Sequence, residues 1–399
     1  MTDKHERAIP RRTWLASAGA LALSACAARH AVASETRPRE RTTTNDDTLR
    51  LMRLGSVPGM AVAVVDRDGV SAHGHGVRRT DTDEPVDGDT IFEAASLSKP
   101  VFAYAVMQLV AAGKLDLDRP LGSYIQLPNP ADERAKAITL RHALSHSTGW
   151  PNWRSQREPK LVSEFTPGSR FSYSGEGYYF VQRVVETITG HGIARVMREQ
   201  VLEPLGMRNS SYLWRPGVDE RLTIPHSGKG EPLTSNSVRF GRAVYELAAK
   251  DGRASEDLTG PEMEAAYRTI QSAPAEQPVF PVSLAPNAAF SLLTTARDYA
   301  TFVRQLLGAG RATLDRMMAP QIELNEAIHW GLGLGLETNE GRPTFWHWGD
   351  NPGYKNFVVG DPRESTAIVV FTNANSGQAV YERVIRAETG LDRAAFLWI

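Results

Sequence analysis

A serine and a lysine three residues apart, Ser96 and Lys99, have the types and spacing of a nucleophile and its base. A serine hydroxyl attacks poorly until a neighbouring base removes its proton. Apolar residues recur at helical spacing from Ser96 through Ala112, and residues three apart share one helix face. Burial would lower the pKa of Lys99 and leave a neutral amine for this task. The Ser96 N–H, at the helix N-terminus, would favour a developing oxyanion.

The same spacing also fits a helix-capping serine followed by a solvated lysine. The flanking residues favour the catalytic interpretation, because a lysine without a functional role is unusual between two largely apolar stretches. These stretches are Phe92-Glu93-Ala94-Ala95 and Pro100-Val101-Phe102-Ala103.

A second candidate is Tyr173, in Tyr173-Ser174-Gly175, on a loop before a helix predicted over Tyr179 to Thr189. A phenolate stabilised by a nearby lysine ammonium can accept a proton. A tyrosine packed in the core is the alternative interpretation of this tripeptide.

A third candidate is His347-Trp348-Gly349-Asp350, at the end of a late predicted strand. Gly349 would let a substrate approach the backbone closely. The N–H of Asp350 would supply a second oxyanion donor, and His347 a polar contact to the acyl or leaving group. The alternative is an aromatic strand end, Trp346 to Trp348, packed on a core.

Strand patterns lie at the two ends of the chain, and a mostly helical stretch, about 114–280, lies between them. This order predicts an α/β (α+β) fold with one sheet built from both chain ends, flanked by helices, and an inserted helical subdomain. The predicted strands are Gly59 to Asp66, Val70 to Val77, Trp330 to Thr338, Thr344 to Trp348, Lys355 to Gly360 and Thr366 to Asn373. Further helices are predicted over Ile193 to Val201, Thr294 to Leu307 and Gln378 to Glu388.

In this order the three motifs resemble those of the class C β-lactamase and penicillin-binding protein superfamily. This superfamily includes D-alanyl-D-alanine carboxypeptidases, D-aminopeptidases and family VIII esterases. Supporting phrases are Ile91-Phe92-Glu93-Ala94-Ala95, Leu144-Ser145-His146-Ser147-Thr148-Gly149, Asp116-Leu117-Asp118-Arg119-Pro120-Leu121 and Glu203-Pro204-Leu205-Gly206-Met207, so the likeness covers roughly residues 50 to 390.

The resemblance implies a β-lactamase/transpeptidase-like fold with the site between the sheet and the helical part. It implies acylation of Ser96, proton transfer through Lys99 and Tyr173, hydrolysis by water, and an oxyanion held by the N–H groups of Ser96 and Asp350. The expected activity is cleavage of ester or amide bonds, including those of cell-wall peptides. The alternative is a catalytically weak protein that binds cell-wall fragments or partners, which the intact serine, lysine and tyrosine argue against.

Two positions depart from the superfamily pattern. The second motif usually ends in an asparagine whose amide holds the acylamino chain of a β-lactam or peptide, and here that residue is Gly175. The third motif usually has a small middle residue, and here it is Trp348. Both departures favour an esterase or D-peptidase-like hydrolase over a β-lactam resistance enzyme.

The N-terminus has the pattern of a bacterial export signal over residues 1–33, followed by a polar tether at 34–46 and a hydrolase domain at 47–399. Arg11-Arg12 precedes a short apolar run, as in twin-arginine signals. Leu23-Ser24-Ala25-Cys26 resembles a lipobox, which would lipidate Cys26; ordinary cleavage after Ala31-Val32-Ala33 is the alternative. Either route predicts a periplasmic or membrane-anchored location.

Composition excludes several other classes. A net charge of -1 argues against a nucleic-acid partner, and the single cysteine excludes an internal disulfide. The pairs His73/His75 and His142/His146 lack the partners of zinc motifs, so no metal and no cofactor is expected. Contact with a membrane is expected only through the N-terminal lipid.

Overall fold

The computed structural model describes residues 45–154, 160–270, 284–339 and 341–399. The predicted export signal at 1–33, with Cys26, and the tether as far as residue 44 lie outside these ranges. The first described helix, α1 (Asn45–Leu54), begins two residues before the predicted domain boundary at 47. Its first turn carries Asp46 and Asp47, which stabilise the positive end of a helix, so the last two residues of the predicted tether are helical.

Eight strands in the described ranges form one antiparallel sheet in the order β2-β1-β10-β9-β8-β7-β6-β5. Its strands are β1 (Gly59–Asp66), β2 (Gly69–Gly76), β5 (Ile322–Glu323), β6 (Ile328–Trp330), β7 (Gly335–Asn339), β8 (Arg342–Asn351), β9 (Tyr354–Asp361) and β10 (Thr366–Thr372). Because β1 pairs with β10, the predicted sheet built from both chain ends is confirmed. A small second sheet pairs β3 (Ile91–Glu93) with β4 (Leu293–Thr295).

The helices of the described ranges cover both faces of the large sheet and form the block between its two halves. After α1 they are α2 (Ser98–Ala111), α3 (Leu140–Leu144), α4 (Gly175–Thr189), α5 (Ile193–Met197), α6 (Asn236–Lys250), α7 (Gly260–Ile270), α8 (Ala296–Leu307), α9 (Arg311–Met317), α10 (Gly377–Thr389) and α11 (Ala394–Trp398). Between 114 and 270 the described residues contribute helices and no strand of either sheet, as predicted for the insertion. None of the helices described is long and apolar enough to cross a bilayer.

Alternation along the central strands divides the interior into two cores. Ala61 and Ala63 of β1 join the larger core with α2 and α8, whereas Met60 and Val62 join a second core with α10 and α11. Successive side chains of a strand point to opposite faces, so a strand buried on both sides must be apolar at nearly every position. The run Gly-Met-Ala-Val-Ala-Val-Val in β1 meets this requirement.

Several predicted element boundaries differ from the structure; the helix predicted over Tyr179 to Thr189, for example, begins at Gly175 as α4. Ser96 lies in a 3₁₀ turn, Ala95–Leu97, that precedes α2 and is not part of the helix. The strand predicted over 330–338 is two strands, because the chain turns through Gly333 at φ +82° between β6 and β7. The helix predicted from Thr294 begins at Ala296, since Thr295 acts as its N-cap by accepting from the Asp298 N–H at 3.0 Å.

Candidate active site

The segment carrying Ser96 is held in a constrained conformation. Ala95 has φ +52°, in the left-handed region that non-glycine residues rarely adopt. Ser98 Oγ donates to the Ala95 carbonyl at 2.6 Å, and Tyr299 Oη donates to the Leu97 carbonyl at 3.0 Å. Such strain persists only where surrounding bonds over-determine it, which fits a preorganised nucleophile.

Lys99 is the base nearest to the Ser96 hydroxyl. Its Nζ donates to Ser96 Oγ at 3.0 Å and to the Ala289 carbonyl at 2.9 Å. The side chain is 1% exposed, and burial lowers the pKa of Lys99 well below its ordinary value. Burial disfavours the ammonium, so the amine can be neutral and accept the Ser96 proton.

Tyr173 is placed mainly by ring packing. Its ring centroid lies 4.1 Å from that of His146 and 4.9 Å from that of Trp348, and Lys99 Nζ lies 4.7 Å from the Tyr173 ring centroid. The hydroxyl is buried without a well-formed hydrogen bond to any described residue. Burial raises the pKa of Tyr173 above its ordinary value, and the adjacent Ser96 hydroxyl offsets only part of this rise. Tyr173 is therefore a phenol, suited to donating a proton, and the predicted phenolate acceptor is not favoured.

His347 does not occupy the predicted position. Its ring is 0% exposed, lies outside the lining of the cavity around Ser96, and donates from Nδ1 to the Trp348 carbonyl at 2.7 Å. Burial, reinforced by Lys99, lowers the pKa of His347 to about 3, so the ring is neutral. The predicted contact of His347 with an acyl or leaving group is wrong, because the ring is enclosed by its own strand and neighbouring aromatic rings.

Gly349 and Trp348 also act differently from the sequence expectation. A Cβ on Gly349 would lie 2.4 Å from the carbonyl oxygen of Ala94, in the segment that leads to Ser96. The close approach to the Gly349 backbone is therefore made by this segment and not by a substrate. Trp348 packs on Tyr173 and on Trp398, and it is absent from the cavity lining. A bulky residue at 348 therefore does not by itself obstruct a substrate.

The backbone of Asp350 lies at an open edge of the sheet. Asn351 and Tyr354 pair across the turn that joins β8 to β9. In an antiparallel pair, successive residues of a strand point their N–H groups alternately toward and away from the partner strand, so the Asp350 N–H points away from β9. On that other side, within the described ranges, β8 has no strand partner beyond Trp346, which pairs with Gly335 of β7. The Asp350 carboxylate bonds to Lys355. The Asp350 N–H therefore points to this edge of β8, the side on which the resemblance implies an oxyanion donor.

A cavity of about 370 Å³ opens beside Ser96, Lys99 and Tyr173. Its remaining described lining is aromatic and polar: Trp153, Phe240 and Phe290, with Glu93, Asn152, Thr234, Ser235, Asn236, Ser237, Asp350, Asn351 and Pro352. A nucleophile, a base and a phenol thus share one small pocket, which is the arrangement that acyl transfer requires.

Glu93 forms one wall of this cavity, although the sequence marked it only as part of a flanking phrase. Its carboxylate is 3% exposed and accepts from Ser237 Oγ at 3.0 Å, from Asn351 Nδ2 at 2.8 Å and from Ser235 Oγ. Burial raises the pKa of Glu93, and these three donors oppose the rise. Glu93 therefore ties β3 to the start of α6 and the end of β8.

His146 is a second residue whose part in the site the sequence did not reveal. The sequence marked it only as part of the family-like phrase Leu144-Ser145-His146-Ser147-Thr148-Gly149 and of a histidine pair that lacks zinc partners. The Ser174 N–H donates to His146 Nδ1 at 3.0 Å, and the His146 ring lies against Tyr173. Burial, with smaller contributions from Lys99 and His347, lowers the pKa of His146 well below its ordinary value. A neutral His146 can accept the Ser174 N–H and fix the loop that carries Tyr173.

In the second motif, the position that usually holds an asparagine faces an indole. A Cβ on Gly175 would lie 2.2 Å from Cζ2 of Trp153, so the ring fills the space that a side chain at 175 would need. The Gly175 N–H donates to Asn152 Oδ1 at 2.9 Å. The loop before α4 and the Asn152-Trp153 segment therefore form one wall of the cavity.

A family model described as Beta-lactamase matches residues 46–391. The chain belongs to this family. It is 30% identical to "Esterase EstB" of Burkholderia gladioli over 47% of this chain and 54% of the relative, and 29% identical to "Penicillin-binding protein 4" of Amycolatopsis lactamdurans over 43% and 49%. A class C β-lactamase from Rhodobacter sphaeroides superposes with a TM-score of 0.66 at 15% identity, over 87% of this chain and 98% of that one.

These matches confirm the predicted superfamily and fold. The chain spans about half the length of the curated relatives it matches. The solved structure, at its low identity, supports the fold alone.

Proposed function

We propose that this protein is a serine hydrolase of the Beta-lactamase family that cleaves ester bonds through an acyl-enzyme on Ser96. The observation that carries this proposal is the 3.0 Å contact from the buried Lys99 Nζ to Ser96 Oγ, at the wall of a cavity shared with Tyr173. A helix-capping serine beside a solvated lysine would show neither the burial nor the cavity.

The geometry supports a division of proton transfers. Neutral Lys99 takes the Ser96 proton as Oγ attacks the substrate carbonyl, and the N–H groups of Ser96 and Asp350 hold the oxyanion. The Tyr173 phenol gives its proton to the departing alkoxide and regains one from the Lys99 ammonium. Water then attacks the acyl-enzyme, loses a proton to the same pair of groups, and Ser96 Oγ leaves as the hydroxyl.

The charges of the cavity favour uncharged esters over substrates that carry a carboxylate. Lys99 is the one basic side chain among the described lining residues, and Glu93 and Asp350 add carboxyl groups. His347 is neutral and enclosed. β-Lactams and peptides ending in D-alanine bear a carboxylate that would meet no cation other than Lys99 here, so they are expected to react more slowly than esters.

Turnover of p-nitrophenyl butyrate and nitrocefin by the purified protein tests the proposal. Ester hydrolysis is expected to exceed nitrocefin hydrolysis, and Ser96→Ala or Lys99→Ala is expected to lower ester kcat by roughly a thousand-fold or more. His347→Ala is expected to have a smaller effect. A wild-type protein that leaves the ester intact and resists a fluorophosphonate probe at Ser96 would instead be a binding protein, and faster turnover of nitrocefin would reverse the substrate order.

We also infer that the protein is exported and that Cys26 carries a lipid. The sequence supports this inference through Arg11-Arg12, the apolar run that follows and the lone cysteine in Leu23-Ser24-Ala25-Cys26. Expression in a bacterial host should place the protein in the membrane fraction, and Cys26→Ser should release it from that fraction. Recovery of wild-type protein in the soluble periplasm, cleaved after Ala33, would support ordinary signal cleavage.

A further inference from the structure

The carbonyl to which Lys99 bonds belongs to a segment that is held from a neighbouring helix. Lys99 Nζ donates to the Ala289 carbonyl at 2.9 Å, and Ala289 is buried. One residue earlier, the Ala288 N–H donates to Oε1 of Gln182, in α4, at 2.8 Å. The Gln182 side chain is buried and lies outside the described lining of the cavity, so it can act on the reaction only through the residues that it contacts.

The amide of Gln182 is oriented by partners at both of its ends. The Ala288 N–H is a donor, so the Gln182 atom beside it is the acceptor Oε1, and the other end of the amide carries the N–H donors. Nε2 donates to Glu186 Oε1 at 2.9 Å, one helical turn further along α4. Glu186 is buried, and its Oε2 accepts from the Gly260 N–H at 2.9 Å. A row of hydrogen bonds thus runs from the start of α7 through α4 to the segment that faces Lys99.

Two further bonds hold this segment on the other side of Ala289. Ser291 Oγ donates to the Tyr212 carbonyl at 2.7 Å. The Leu292 N–H donates to Ser98 Oγ at 3.0 Å. Both bonds lie after Ala289 in the chain, whereas the bond to the α4 amide lies before it. The Ala289 carbonyl is therefore held between two anchors, and α4 supplies the earlier one.

The Ala289 carbonyl influences the direction in which the amine of Lys99 points. A neutral amine has two N–H groups and one lone pair, and only the lone pair can take the proton of Ser96. An N–H held by the Ala289 carbonyl leaves the lone pair able to face Ser96 Oγ, 3.0 Å from Nζ. After proton transfer the ammonium keeps the bond to the carbonyl, and the bond is then stronger because its donor is charged. Displacing this carbonyl would both misdirect the base and disfavour its charged form.

We propose that Gln182 is a positioning residue for Lys99: it holds the Ala289 carbonyl where that carbonyl orients the amine toward the nucleophile. The same helix follows directly on the loop that carries Tyr173, so one helix places both groups that move protons in the proposed mechanism. The inference rests on the proposed function, because it concerns how the proposed base is held.

Several titratable side chains surround Lys99, and a substitution at Gln182 replaces none of them. They are the buried Tyr173, Tyr178, His146 and His347, with the carboxyl groups of Glu93 and Asp350 in the cavity lining. Burial lowers the pKa of both histidines and raises the pKa of both phenols, so these four groups are uncharged near neutral pH. A changed pKa of Lys99 in a variant of Gln182 would therefore report its bond to the Ala289 carbonyl.

Steady-state hydrolysis of p-nitrophenyl butyrate by Gln182→Met and Gln182→Glu tests the inference. Methionine is similar in length but offers the Ala288 N–H no oxygen. Glutamate keeps an oxygen there, and because two adjacent buried carboxyl groups share one proton, its carboxyl can donate to Glu186 as the amide does. Gln182→Met is expected to lower kcat roughly ten-fold or more with KM nearly unchanged, whereas Gln182→Glu should keep at least about a third of the wild-type kcat.

The pH profile separates a positioning role from a general loss of structure. In Gln182→Met the midpoint of the rising limb of kcat/KM should move to lower pH, because the Lys99 ammonium loses stabilisation by the Ala289 carbonyl. Gln378→Met is the matched control, since Gln378 of α10 also donates to a glutamate four residues on, Glu382, at 3.0 Å, and neither residue lines the cavity. The control should leave both kcat and the midpoint unchanged.

Equal kcat values for wild type and Gln182→Met would overturn the inference. Equal losses in Gln182→Met and Gln182→Glu, or a loss of kcat with an unmoved midpoint, would also overturn it, since either would indicate a packing role alone. A rise in KM at constant kcat would show that Gln182 only supports Phe290 in the cavity wall. Gln182→Asn withdraws the same amide by one methylene, should show the same changes, and takes the place of the methionine variant if that variant does not fold. Absence of ester hydrolysis by the wild type would overturn the proposed function and this inference with it.

Discussion

One physical cause, burial, prepares two neighbouring side chains for opposite roles. Removing a group from water disfavours its charged form, which lowers the pKa of an amine and raises that of a phenol. Burial accordingly lowers the pKa of Lys99 and raises that of Tyr173. In the proposed mechanism, these opposite shifts suit Lys99 to accept a proton from Ser96 and Tyr173 to donate one.

The pH dependence of ester hydrolysis should report Lys99. Activity needs the neutral amine, so kcat/KM should rise with pH and level off above the pKa of Lys99, well below 10.5. Neither His146 nor His347 contributes near neutrality, because burial lowers the pKa of both. No descending limb is expected below pH 10, since the pKa of Tyr173 is raised above that value. A pH–rate profile with its midpoint close to 10.5 would contradict the role given to Lys99.

Gly349 should be required for the placement of Ser96. In Gly349→Ala the new Cβ would lie 2.4 Å from the carbonyl oxygen of Ala94, two residues before Ser96. The Ala94 carbonyl must therefore move. A displacement of this kind costs about a hundred-fold in rate when it reaches 1 Å. We expect kcat to fall by at least about ten-fold in steady-state ester assays. Gly228→Ala is the matched control, because a Cβ there meets open space; equal activities in the two variants would refute the argument.

At the scale of elements, the C-terminal helix α11 packs against the strand that carries the third motif and holds it in place. The buried Arg393 and Glu337 pair at 3.0 Å, and Glu337 also accepts from the Ala395 N–H at 3.0 Å. This anchors Trp398 with its ring centroid 5.5 Å from that of Trp348, which in turn packs on Tyr173. Trp398, in the last helix, thereby supports the loop that carries Tyr173, the proposed proton donor.

Trp398→Ala should lower both stability and activity, since it leaves a gap beside Trp348. Loss of a half-buried tryptophan is expected to cost about 2 kcal/mol in the free energy of unfolding and to lower kcat/KM several-fold. Leu397→Ala is the control in the same helix, because Leu397 is 93% exposed. Thermal melts and ester assays on both variants provide the measurement. If the Trp398 variant is as active and as stable as the Leu397 variant, α11 does not support the position of Trp348.

At the scale of the whole molecule, a buried amide joins the two ends of the chain. Asn373, which follows β10, accepts from the Gly59 N–H at 2.7 Å and donates to the Arg78 carbonyl at 3.1 Å. The first residue of β1 and the segment after β2 are thereby fixed to the end of β10. Asn356 makes a similar connection, because its Nδ2 donates to the Glu93 carbonyl at 2.9 Å and brings the second sheet against the first.

Asn373→Ala should destabilise the whole domain while sparing the chemistry. Leaving a buried N–H and buried carbonyls unpaired is expected to cost about 3 kcal/mol and to lower Tm by several degrees. Specific activity measured well below the transition should stay near that of wild type, because Asn373 is not in the cavity lining. Asn45→Ala is the control, because Asn45 is exposed. Equal Tm values for Asn373→Ala and Asn45→Ala in calorimetry would contradict the stabilising role of Asn373.

The sequence alone predicted the sheet formed from both chain ends and the helical insertion, because these depend on apolar periodicity. It singled out Ser96 and Lys99 by their types and spacing, and Tyr173 through the resemblance of the three motifs to a known superfamily. It did not determine where His347 and Trp348 point, nor that the Ala94 carbonyl lies against Gly349. These facts depend on contacts between residues far apart in the sequence, such as Trp348 with Tyr173 and Gly349 with Ala94, which no local pattern encodes. Burial, which sets the protonation of Lys99 and Tyr173, likewise arises only when distant segments pack together.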